Sequence, residues 1–71
     1  MPTANQKYST RVHSRRQLSR SIEHLMEASK VLNEVGERYV DALPLISGGC
    51  IEVITMLKMV QALIEDMRVN I

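Results

Sequence analysis

The sequence predicts an all-α protein: a helical hairpin of two long amphipathic helices with a basic N-terminal arm, packing as a coiled-coil-like bundle with partner chains. Three observations carry this expectation. Apolar residues make up 45% of the 71-residue chain, yet it has no Phe or Trp and only two Tyr. Met, Leu, Ile, Val and Ala supply the rest, a set that fills narrow seams between helices better than it surrounds large rings. These residues recur at steps of three and four, the helical period, rather than in the alternation of a strand. Between two such runs stands "LPLISGGC", holding Pro44, Gly48 and Gly49. Pro lacks a backbone N–H, and Gly costs about 1 kcal/mol in a helix interior relative to Ala, so this segment reads as a turn.

Residues 1–13 are polar and without periodicity, and read as a flexible basic arm. The first helix is expected over 14–43, opening on Ser14 with Gln17 at capping-box spacing. An earlier start at Thr3, with Gln6, has the same spacing but little apolar pattern behind it. From Leu18 an apolar stripe runs through Ile22, Leu25, Leu32, Tyr39 and Leu43, widened by Ala28, Val31, Val35 and Ala42. The opposite face carries Glu23, Glu27, Lys30, Glu34 and Arg38, where Glu27–Lys30 and Glu34–Arg38 are spaced to attract. The turn is expected over 44–49, with Ser47 as N-cap of a second helix over 50–69. That helix is apolar almost all round, so a single facing helix cannot cover it.

Heptad spacing continues across the break. One row reads Leu18, Leu25, Leu32, Tyr39, Ile46, Val53, Val60, Met67; the other reads Ile22, Ser29, Gly36, Leu43, Cys50, Leu57, Ile64, Ile71. A continuous kinked coiled coil would give this pattern. The Pro and the two Gly favour the hairpin. The residues expected to form a protein interface are Leu25, Leu32, Tyr39, Val53, Leu57, Val60, Ile64 and Met67. Ser29 and Gly36 interrupt the inner row of the first helix and invite close approach by another helix, with a partner's bulky side chain filling the space.

The formal charge of +1 hides a segregation. Residues 1–20 hold Lys7, Arg11, Arg15, Arg16 and Arg20 and no acid, whereas residues 21–71 hold eight acids against Lys30, Arg38, Lys58 and Arg68. Arg15 and Arg16 at a helix start would oppose the helix dipole, so those five residues read as a possible anion-binding set, for nucleic acid or an acidic protein surface. Ser14 and Ser19 each follow an Arg by three residues, a spacing that suits basophilic kinases. His24 and Glu27 lack further ligands, so no metal is expected. Cys50 is the only cysteine, which excludes an internal disulfide, and its place on the inner row reads as a packed thiol.

No nucleophile or acid–base constellation is present, so no enzyme activity and no cofactor are expected. The leading expectation is a non-enzymatic assembly or adaptor subunit in a homo- or hetero-oligomeric complex. The alternative is a small dimeric nucleic-acid-binding regulator using its basic arm. The chain shows no signal peptide, and the apolar window at 50–64 reads as too short and too interrupted by Glu52 and Lys58 to span a bilayer. The expectation is therefore an intracellular, cytoplasmic or nuclear, protein that does not engage membranes.

Overall fold

The computed structural model describes residues 4–71, with side chains from Thr10 onward. It is a hairpin of two helices, α1 (Ala4–Arg38) and α2 (Pro44–Asn70), lying side by side in a rod of 59 × 15 × 15 Å. Contacts at both ends make the pair antiparallel. Near the turn, Gly36 lies against Ser47 and Cys50. At the open end, Arg68 donates to Ser19 Oγ at 3.4 Å and Arg15 donates to the carbonyl of Ile71.

The break falls earlier than the sequence predicts. Turn residues are 39–43, and α2 begins at Pro44. Pro44 cannot continue α1, and it pushes Leu43 into extended backbone (φ −140°, ψ 78°). Its fixed φ and missing N–H suit the first position of a new helix, so it starts α2 instead of merely ending α1. Backbone bonds from Leu43 N to Tyr39 O (2.9 Å) and from Ile46 N to Leu43 O (3.0 Å) close the turn. Gly48 and Gly49 are consequently helical, and Ser47 is a buried residue of α2 rather than its cap.

The other end also differs. α1 starts at Ala4, next to the earlier of the two candidate starts, so 4–13 are helix and not a flexible arm. Nothing in 4–13 breaks a helix, and good helix formers such as Ala4, Gln6 and Arg11 extend it without an apolar stripe. Residues 1–3 of the expected arm lie outside the described residues.

One seam joins the helices. Its α1 side is Leu18, Ile22, Leu25, Ser29, Leu32 and Gly36; its α2 side is Ser47, Cys50, Ile54, Leu57, Gln61, Ile64, Arg68 and Ile71. All are buried or half-buried, at alternating steps of three and four, the knobs-into-holes pattern. Both inner rows of α1 match the sequence expectation. In α2 only the row from Cys50 through Leu57 and Ile64 to Ile71 does; Ile46, Val53, Val60 and Met67 are exposed. Among the described residues only Gly36, Ser47 and Cys50 are buried, and no side chain is fully so.

Candidate protein-binding surface

In a helix each residue turns about 100° from the last, so the residue just before every seam position lies on one flank and the residue just after it on the other. Antiparallel helices are related by an approximate two-fold axis normal to the layer they form. The preceding residues of both helices therefore share one side of the hairpin, and the following residues share the opposite side.

The two sides differ in chemistry. On the preceding side α1 offers Gln17, Ser21, His24, Ala28, Val31 and Val35, and α2 offers Ile46, Gly49, Val53, Met56, Val60, Leu63 and Met67. None of these is Asp, Glu, Lys or Arg. The large α2 side chains among them are well exposed, from 41% for Val53 and Val60 to 66% for Leu63. The following side mixes Met26, Ile51 and Val69 with Glu23, Lys30, Glu37, Lys58 and Glu65, so it carries both signs of charge. It also holds an open groove of about 260 Å³ at the turn end, between Leu32, Gly36, Val40, Cys50, Ile51 and Ile54.

The eight residues expected to form the interface thus divide. Leu25, Leu32, Leu57 and Ile64 pack within the chain, whereas Val53, Val60 and Met67 face outward together and Tyr39 sits in the turn. The sequence reading missed Met56 and Leu63, which complete the outward stripe. Their spacing from Val53 and Val60 was a usable signal, hidden because apolar residues surround α2. Gly36 is approached by Cys50 of the same chain, not by a partner's bulky side chain. Cys50 itself is a buried free thiol.

The basic residues are helical. Arg11, Arg16 and Arg20 are exposed; Arg15 is exposed too but donates to the C-terminal end of α2, where a cation favours the helix dipole. Lys7 belongs to α1, and its side chain lies outside the described ones. The ion pair among the described residues is Arg68–Glu65. Its hydrogen bond holds the Glu65 carboxyl below its ordinary pKa and raises that of Arg68. The expected Glu27–Lys30 and Glu34–Arg38 pairs do not form within ion-pair distance. Such exposed pairs gain little in water against the entropy of holding two long side chains. Among the described residues, no group of three or more His, Cys, Asp or Glu is placed to hold a metal.

One sequence expectation needs correction. Residues 50–64 belong to a 27-residue helix that is long and apolar enough, by length and composition, to cross a membrane, and little of it is covered by α1. Compared with known proteins, the chain matches no family model, no curated protein and no solved structure.

Proposed function

We propose that the protein is a non-enzymatic assembly or adaptor subunit that acts by coiled-coil-like helix packing, within a homo- or hetero-oligomeric bundle. The observation that carries this reading is the uncharged, exposed stripe of Val53, Met56, Val60, Leu63 and Met67 beside an already formed helix seam. Apolar surface costs free energy in water at roughly 25 cal/mol per Å², and contiguous patches of this kind mark binding surfaces.

Lipid is the competing cover for α2, and two features weigh against it. Lys58 lies near the middle of the helix, where a charge in a bilayer costs about 2.5–3.5 kcal/mol. More decisively, α1 runs along α2 and carries exposed Glu23, Glu27, Lys30 and Glu34. A spanning hairpin would drag these into hydrocarbon, so α2 could cross only by leaving α1. The exposed Arg11, Arg16 and Arg20 support a second reading, a small dimeric nucleic-acid-binding regulator. The basic stretch has no aromatic residue beyond Tyr8 to stack on bases, which weakens it.

Size-exclusion chromatography with light scattering, read at 260 and 280 nm, alongside flotation with anionic vesicles, separates the three. The expected result is an assembly larger than the 8.1 kDa chain, free of nucleic acid, that does not float. A single chain that floats with the vesicles would overturn the helix-packing reading. Nucleic acid shed only at high salt would move the second reading to the front.

A further inference from the structure

We propose that the uncharged side of the hairpin is closed by a second copy of the same chain, giving a two-fold four-helix bundle. This rests on the helix-packing reading above and names its partner. A two-fold contact brings a surface patch against itself, so any charge near the axis meets its own sign. Charges off the axis can meet the opposite sign, but closing the following side would still take Glu23, Lys30, Glu37, Lys58 and Glu65 partly out of water, at a desolvation cost. The preceding side has no such charge from position 17 to 35 or from 46 to 67, and is self-complementary on this count.

Relief and size agree. Small residues (Ser21, Ala28, Gly49) lie on this side among the larger Met56, Leu63 and Met67. The large α2 side chains make a ridge beside the lower α1 edge where Ser21 and Ala28 lie, a ridge and a groove for a facing hairpin. From Ile46 to Met67 the stripe runs about 30 Å at 1.5 Å per residue, across a hairpin 15 Å wide. Its projected footprint of about 450 Å², to which corrugation adds, is a little over half of the roughly 800 Å² per partner of a standard interface and suits the small end of that range. The hairpin also needs the cover, because the described residues include no fully buried side chain. A second layer would turn its half-exposed flank into a bundle core.

Four methionines read the face without any substitution. Met26, Met56, Met59 and Met67 are similarly exposed in the single chain, at 58%, 60%, 64% and 54%. Met56 and Met67 lie on the uncharged side, and Met26 and Met59 do not. The experiment is the initial rate of sulfoxide formation by hydrogen peroxide at each Met, by mass spectrometry, on wild-type protein whose mass is measured by light scattering. The expected result is twice the 8.1 kDa chain mass, with Met56 and Met67 oxidised several-fold more slowly than Met26 and Met59. In parallel, Val60→Lys and Leu63→Lys are expected to weaken pairing at least tenfold, while Ile51→Lys and Val69→Lys on the other side leave it intact.

Equal oxidation of all four Met in an assembled protein, or protection of Met26 and Met59 instead, overturns this face while leaving helix packing in place. A helical single chain that stays away from vesicles, or an assembly of three or more chains, overturns the second copy as the partner. A single chain that floats with lipid overturns both the inference and the reading beneath it.

Discussion

Gly36 decides how closely the helices approach. A Cβ built on it would stand 3.3 Å from Cys50 Cβ and 3.8 Å from Ser47 O, so a side chain there presses on the facing helix. Gly48 differs: its Cβ would meet nothing within 4 Å, although it too is helical. Replacing Gly48 by Ala is therefore expected to stabilise by up to about 1 kcal/mol through helix propensity alone. Gly36→Leu is expected to destabilise by about 1–3 kcal/mol through overpacking. Thermal melts check both, each kcal/mol moving the midpoint by about 4–8 °C in a domain this small. A Gly36→Leu melt no lower than wild type would mean the helices do not meet there. The sequence showed that Ser29 and Gly36 leave gaps in an apolar row, and close approach of another helix follows from that alone. It did not show which helix approaches, because the phase of α2 depends on where the turn places it.

At the level of elements, the least legible features were ends and phase. Ser14 and Gln17 have the chemistry of a helix start, but a capping pair does not stop a helix that the preceding residues continue. In the sequence Pro44 marks the end of a helix, whereas in the structure it opens one. The α2 seam was hard to find for a different reason. Its second row is Ser47, Ile54, Gln61 and Arg68, three of them polar, while the more apolar row of Ile46, Val53, Val60 and Met67 faces out. Hydrophobic pattern points at the larger apolar surface, and here that surface is not the one the hairpin uses on itself. The distinction has a direct test. Leu57→Asp or Ile64→Asp puts a carboxylate into the intrachain seam, at roughly 2 kcal/mol or more, and is expected to abolish helical circular dichroism. Leu63→Asp lies outside the seam and is expected to keep the helical signal of the hairpin while impairing association. Equal loss of helicity in all three would show that seam and flank fold as one unit.

For the whole molecule the question is what makes 71 residues stable without an internal disulfide and with no fully buried side chain among the described residues. Ordering each residue costs roughly 1–2 kcal/mol of backbone entropy, and domains this small bury too little surface to leave a wide margin. The uncharged flank supplies the missing burial only when another chain covers it. Stability should then depend on protein concentration, because association that favours the folded state adds free energy by mass action. A hundredfold rise in concentration is worth about 2.7 kcal/mol to a linked equilibrium of this kind. The expected outcome is a melting midpoint that climbs by several degrees over that range, at constant helical signal before the transition. Val60→Lys should flatten the dependence and lower the midpoint most at high concentration, where wild type gains most from pairing. A wild-type midpoint independent of concentration would instead locate all of the stability in the single hairpin, and its exposed stripe would then contribute nothing to its folding.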